Sequence, residues 1–323
     1  MKAVILAGGH ATRLWPITKN RAKPLLPLGN RPIIDYIVEE LENEAEQIII
    51  STNKKYSEDF KEYGEEYSRD VTVAVENQSS EDEKPGTIGA ILNMFERENL
   101  DLEDDLIIIG GDNYYSFHLP KFLEFSQEKE APTNVVYDVS DKEIAKNLGV
   151  VDTDGEKIID FVEKPEQPPS TLASTAVYFF PKKDLSLFKR YEEHFKESDI
   201  PRERYLDEPG RLIEWAHRQT DMYAYSFSGE WFDIGTPEGY LNATASVTEG
   251  KTVEGEVHNS EISENTVVME GATVKGSEIQ DSIIFPGAKI KDSSIKNTIV
   301  DSKAKIKDKK LNKSVIGSYS NVK

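Results

Sequence analysis

The chain has 323 residues, too many for one small domain, and its 37% hydrophobic content supports a sizeable core. A formal net charge of −20 disfavours nucleic acid and anionic membranes as partners, and the lack of cysteine excludes disulfides, thiolate metal sites and a cysteine nucleophile. No run is long and apolar enough to cross a bilayer, and the start, MKAVILAGG, lacks the apolar core of a signal peptide, so a cytoplasmic location is expected.

Residues 2–7 form a short apolar run stopped by Gly8-Gly9, which predicts a buried parallel strand and a tight loop. Residues 33–41 have helical spacing, 47–52 carry Ile48, Ile49 and Ile50 as a second buried strand, and 71–76 give a third. A helix is predicted over 88–98, a strand over 106–109 ending at Gly110-Gly111-Asp112, and another over 134–139. Short strands and turns fill 149–180. Helices follow over 182–194 and 210–218, then a strand over 223–227 and a last helix over 237–247. Strands alternating with helices predict an α/β fold: a Rossmann-like, mainly parallel sheet with helices on both faces. Ligands of such sheets bind beyond the carboxyl ends of the strands, where both glycine-ended strands place their loops.

After Gly250 the pattern changes. Val257, Ile262, Val268, Val274, Ile279, Ile284, Ile290, Ile295, Val300 and Ile306 recur at intervals of five or six residues, separated by Gly, Asn, Ser, Asp and Lys. That period fits a parallel β-helix, each short strand pointing one aliphatic inward. At about eighteen residues per three-sided coil it would hold about three coils, near the minimum for a stable solenoid. Two domains are therefore expected, 1–247 and 250–323.

The loop Gly8-Gly9-His10-Ala11-Thr12-Arg13 can aim backbone N–H groups at phosphate oxygens, although it matches neither GxGxxG nor GxxxxGK[ST]. Its continuation, Leu6-Ala7-Gly8-Gly9-x-x-Thr12-Arg13-Leu14-x-Pro16-x-Thr18 with Lys23-Pro24-x-Leu26-Pro27 and Pro32, closely resembles the sugar nucleotidyltransferase (nucleotide-sugar pyrophosphorylase) family. That family usually has glycine at the position of Ala11, and relatives often have it at that of Ala176.

The resemblance implies roles residue by residue. Arg13 and Lys23 would neutralise the triphosphate, with Leu6, Ala7, Gly8, Gly9 and Thr12 around the nucleotide. Pro85-Gly86-Thr87-Ile88-Gly89-Ala90 resembles the second nucleotide loop, in which Gly86 and Thr87 lie beside the base. Glu81 stands near where many relatives have a base-reading glutamine. Asp112 and Asp233 match the aspartates that hold Mg²⁺ in the family, and Mg²⁺ takes one or two carboxylates together with phosphates and water. Phe161-Val162-Glu163-Lys164-Pro165 resembles the sugar-phosphate element: Lys164 for the phosphate, Glu163 for sugar hydroxyls, Gly149 for close approach and Thr175 as a further contact. The repeat resembles the left-handed β-helix appended to some members, long-form glucose-1-phosphate thymidylyltransferases among them.

The implied substrates are an NTP and a sugar 1-phosphate, with glucose 1-phosphate and dTTP or UTP leading, and mannose 1-phosphate with GTP as the alternative. A non-catalytic nucleotide-sugar-binding subunit of the same fold is a rival, but this chain keeps Arg13, Lys23, Asp112, Lys164 and Asp233. Acyl transfer in the β-helix would want a histidine base, and His258, at its start, is the one histidine in that segment. No assigned residue lies in the repeat. It is therefore expected to serve stability or homo-oligomer assembly, and a chain ending near Val247 is expected to keep the reaction.

Overall fold

The computed structural model describes residues 1–76, 86–95, 104–196, 198–248 and 250–323. They divide into two compact units. One comprises 1–9, 36–111 and 115–231; the other comprises 10–35, 112–114 and 232–323. This division differs from the expected boundary at 247/250: the segment bearing Arg13 and Lys23, together with Asp112 and Asp233, groups with the C-terminal coils.

The first unit is built on a nine-stranded sheet. Its strands are β1 (Lys2–Leu6), β2 (Gln47–Thr52), β3 (Val71–Val75), β4 (Leu106–Gly110), β5 (Thr133–Asp138), β6 (Gly149–Asp154), β7 (Lys157–Glu163), β8 (Leu172–Phe180) and β9 (Tyr223–Ser226). Their order across the sheet is β3-β2-β1-β4-β8-β5-β9-β7-β6. The strands β3, β2, β1 and β4 are parallel, and the near-continuous aliphatic runs of β1, β2 and β4 fit strands buried on both faces. β8 returns antiparallel between β4 and β5, and β6 and β7 form an antiparallel hairpin, so the sheet is mixed.

The helices are α1 (Ile33–Leu41), α2 (Ser57–Glu66), α3 (Gly86–Phe95), α4 (Leu119–Lys129), α5 (Lys142–Ala145), α6 (Ser186–Lys196), α7 (Arg202–Asp207), α8 (Pro209–Ala216) and α9 (Pro237–Thr248). One core cluster joins Val4, Ile49, Leu106 and Ile108 of the sheet to Ile88 and Ile91 of α3, Phe188 of α6, Leu206 of α7 and Ile213 of α8. The alternate sheet residues Ala3, Ile5, Ile48, Ile50, Ile107 and Ile109 are buried as well, so both faces of this half are covered.

β8 was not foreseen as one strand. Its register shifts between Ser174 and Tyr178, where Ala176 adopts φ 59°, and that bulge breaks the alternation a pattern search needs. The helices α2 and α4 were also not foreseen: α2 reads SEDFKEYGEE, charged and interrupted by glycine, and buries mainly Phe60 and Tyr63.

In the second unit, parallel strands stack into ladders of five, five and four strands, making between four and five coils of a β-helix. The register Thr273↔Lys289↔Lys305 fixes sixteen residues per coil, in place of the eighteen expected. Val268, Ile284 and Val300 on one side, Val274, Ile290 and Ile306 on the next, and Ile279 and Ile295 on the third fill the interior. The corners take left-handed backbone. Asn265, Asp281, Asn297 and Lys313 form one such column, with φ between 44° and 59°. Among residues with a side chain, Asn and Asp tolerate that conformation best, which accounts for many of the polar residues between the aliphatics.

Candidate active site

Within the second unit, two short 3₁₀ turns, Thr12–Leu14 and Lys23–Leu25, carry the basic residues of the opening motif. The loop enters the first turn through Ala11 at φ 47°, ψ 46°, a left-handed position that favours glycine. Thr18 clamps the bend by donating its hydroxyl to the Ala11 carbonyl at 2.8 Å. Arg13 and Thr12 are exposed, whereas Lys23 is buried and its ammonium forms an ion pair with the Asp112 carboxylate.

Asp233 joins the same group. The Ile234 N–H donates to the Asp112 carbonyl at 3.1 Å, tying the two aspartate-bearing segments together. A Cβ on Gly235 would meet Arg13 Nη2 at 2.9 Å and Asp233 Oδ1 at 3.3 Å, so the missing side chain at 235 lets the guanidinium approach the carboxylate. Burial pushes the Asp233 carboxyl up, and the negative Asp112 adds to that, against the opposing pull of Lys23 and Arg13. Two neighbouring carboxylates flanked by two cations are groups that could hold a divalent ion together with phosphate oxygens. Among the described residues no cluster of three or more metal-ligating side chains exists, so an ion here would depend on substrate oxygens to complete its shell.

Within the first unit, the glycine turn after β1 is gripped from two sides. Asn53 donates its amide to the Gly8 carbonyl at 2.8 Å, and a Cβ on Gly8 would meet the Glu76 carboxylate at 2.3 Å. Leu6 and Ala7 end the strand, the Leu6 carbonyl accepting from Gly111 N–H and the Ala7 N–H donating to Ser51. Gly9 is exposed with open space around it. Asn53 and Glu76 were missed by sequence reasoning. Their signal is position: each follows the carboxyl end of a parallel strand, as Gly8 does.

The sugar-phosphate element forms a second cluster in this unit. Gly149 and Glu163 are cross-strand partners of the β6–β7 hairpin. A Cβ at Gly149 would meet Glu163 Oε2 at 2.9 Å, and one at Gly210, in the first turn of α8, would meet it at 1.8 Å. This confinement pushes the Glu163 carboxyl up through burial, with Lys164 only partly offsetting it. Lys164 adopts φ 50°, a strained position for a residue with a side chain. Its ammonium lies 2.7 Å from Glu208 and 3.6 Å from Glu163. Burial would lower the Lys164 pKa, yet these carboxylates hold it above its ordinary value. Glu208 also accepts from Arg211 at 2.6 Å, so one carboxylate bridges two cations. Glu208 and Arg211 carried no motif signal.

Two assigned residues have structural duties as well. Thr175 is fully buried and its hydroxyl donates to the Val135 carbonyl at 3.0 Å, so the side chain is held within the sheet. Gly86, at φ 69°, starts α3 where a Cβ would meet the Leu206 carbonyl carbon and oxygen at 2.5 Å, so it lets α3 lie against the α7 backbone. Thr87 follows, half-buried. Glu81 lies outside the described residues.

A family model described as nucleotidyl transferase matches residues 2–250. A candidate mannose-1-phosphate guanyltransferase of Sulfolobus acidocaldarius is 27% identical over 292 residues, 86% of this chain and 76% of that protein. A glucose-1-phosphate adenylyltransferase of Clostridium novyi is 31% identical over 271 residues, 78% of this chain and 68% of that protein. The crystal structure of a candidate glucose-1-phosphate thymidylyltransferase from Bacillus anthracis, in complex with a sucrose, superposes with a TM-score of 0.62 at 29% identity, covering 76% of this chain and 94% of that one. The chain belongs to the nucleotidyl transferase family, among the sugar nucleotidyltransferases.

Proposed function

We propose that the protein transfers a nucleotidyl group from an NTP to a sugar 1-phosphate and releases pyrophosphate. The observation that carries this reading is the group of Arg13, Lys23, Asp112 and Asp233, assembled from three separate stretches of chain within one unit. Arg13 and Lys23 supply fixed positive charge for the β- and γ-phosphates as charge builds on the leaving pyrophosphate. Asp112 and Asp233 would hold Mg²⁺, which supplies charge neutralisation and orientation of the phosphates.

In the other unit, Lys164 holds the sugar 1-phosphate and Glu163 accepts hydrogen bonds from sugar hydroxyls. The phosphate monoester is itself the nucleophile. It is already anionic, so no general base is required and the residues act by positioning and by neutralising charge. Retention of all five charged groups favours an enzyme over a non-catalytic binding subunit.

Glucose 1-phosphate with dTTP is supported by the Bacillus anthracis structure, and mannose 1-phosphate with GTP equally by the Sulfolobus acidocaldarius relative. The test is purified protein with Mg²⁺, assayed for pyrophosphate against each NTP paired with each sugar 1-phosphate. Turnover with one pair and its loss on chelation is the expected result. Binding of nucleotide sugar without pyrophosphate release from any pair would favour the binding subunit.

A further inference from the structure

The three ladders of the β-helix do not have equivalent outer faces. Two carry polar outward residues, such as Thr273 and Lys275, Lys289 and Lys291 on one, and Glu278, Gln280 and Lys296 on the other. The third carries doubled aliphatics: Val267-Val268, Ile283-Ile284, Ile299-Val300 and Val315-Ile316. Val268, Ile284 and Val300 fill the interior. Their neighbours Val267, Ile283 and Ile299 point the other way along the strand, and yet each is at most 2% exposed. This face is therefore covered.

The next residue of each coil gives a column: Met269, Phe285, Asp301 and Gly317. The segment that carries Arg13 and Lys23 lies against it. The Arg21 guanidinium sits over the Phe285 ring, 5.4 Å from its centroid, and 3.8 Å from the carboxylate of Asp301. A Cβ on Gly317 would meet Pro16 Cγ at 2.8 Å, so the column narrows to glycine where Pro16 packs. Asp301 is buried, and removing its partner cation leaves a buried charge poorly compensated, which ties Arg21 to this place. Stacking on an aromatic face adds to the attachment. Farther along the segment, Tyr240 of α9 donates its hydroxyl to the Pro27 carbonyl.

We infer that this face of the β-helix is a platform that positions the triphosphate loop, with Arg21 as the strap between the coils and Lys23 two residues on. Arg21 is a positioning residue, acting through the placement of Lys23 and Arg13. The inference rests on the proposed nucleotidyl transfer for its functional consequence.

The test uses the full chain. Wild type, Arg21→Ala, Arg21→Lys, Asp301→Asn and Phe285→Leu are compared, with Lys291→Ala on a polar face as control. Steady-state pyrophosphate release is measured with the NTP and sugar 1-phosphate pair that wild type turns over, alongside hydrogen exchange of backbone amides in 11–26 and thermal unfolding. Arg21→Ala is expected to lower turnover at limiting NTP roughly ten- to hundredfold. The KM for sugar 1-phosphate should stay within about twofold. Exchange over 11–26 should rise while that of β1 does not, Arg21→Lys should recover part of the loss, and Lys291→Ala should match wild type. Phe285→Leu and Asp301→Asn should reproduce the pattern more weakly, and they decide the matter if Arg21→Ala does not fold. Near wild-type turnover in folded strap variants would overturn the inference. If wild type turns over no pair, the proposed function fails, and exchange alone decides the platform: unchanged protection of 11–26 in Arg21→Ala overturns it, and faster exchange supports it.

Discussion

Ala11 and Ala176 both hold left-handed backbone, at φ 47° and φ 59°, and both match positions where the family resemblance leads one to expect glycine. An L-residue pays roughly 1–2 kcal/mol in that region, and glycine gives back about 0.5–1 kcal/mol in backbone entropy. Ala11→Gly and Ala176→Gly are each expected to stabilise the protein by up to about 1 kcal/mol, read from denaturant midpoints. A fall in midpoint for both would contradict the strain. Gly86→Ala should act oppositely, losing about 2 kcal/mol or more, because its Cβ meets backbone that cannot turn aside. Asp112→Asn should keep the fold and lose most Mg²⁺-dependent turnover, since an amide brings no charge and ligates Mg²⁺ poorly. Near wild-type turnover in that variant would remove Asp112 from the metal site. The strained alanines were legible only as departures from a family pattern, because a single sequence does not reveal the sign of φ.

At the level of elements, the β6–β7 hairpin and the start of α8 hold one carboxyl in a confined place. The Glu163 carboxyl is raised by burial, so the native state binds more protons than the unfolded chain between the ordinary carboxylate value and the raised one. Stability therefore falls as pH rises through that window, and the penalty is complete above it. Glu163→Gln should be more stable than wild type near neutral pH, with the difference vanishing in acid, while its KM for sugar 1-phosphate rises. Unfolding curves at several pH values check the first point, and a constant difference across pH would refute it. Lys164→Ala should weaken sugar 1-phosphate far more than NTP. An effect confined to the NTP would reassign that lysine. The motif around Glu163 was legible, but Glu208 and Arg211 were not: their meeting with Lys164 depends on where α7 and α8 pack, which no local spacing encodes.

For the molecule as a whole, the repeated aliphatics exposed the β-helix interior directly, because inward positions recur with every coil. The coil length came out as sixteen residues rather than eighteen because intervals of five outnumber those of six. The doubled positions, Ile283 and Ile299, were written in the same repeat, but their burial shows only in the structure. Since 10–35 and the coils share one unit, removal of the coils is expected to abolish turnover as well as lower stability, reversing the sequence-based expectation for a chain ending near Val247. A milder probe is Ile299→Lys, which puts a charge on the covered face and should lower the thermal midpoint by several degrees. The most direct measurement is pyrophosphate release by the purified full chain across all NTP and sugar 1-phosphate pairs with Mg²⁺. Nucleotidyl transfer predicts at least one pair that yields nucleotide sugar and pyrophosphate in equal amounts and stops on chelation. No pyrophosphate from any pair, with the protein folded and Mg²⁺ present, would contradict it.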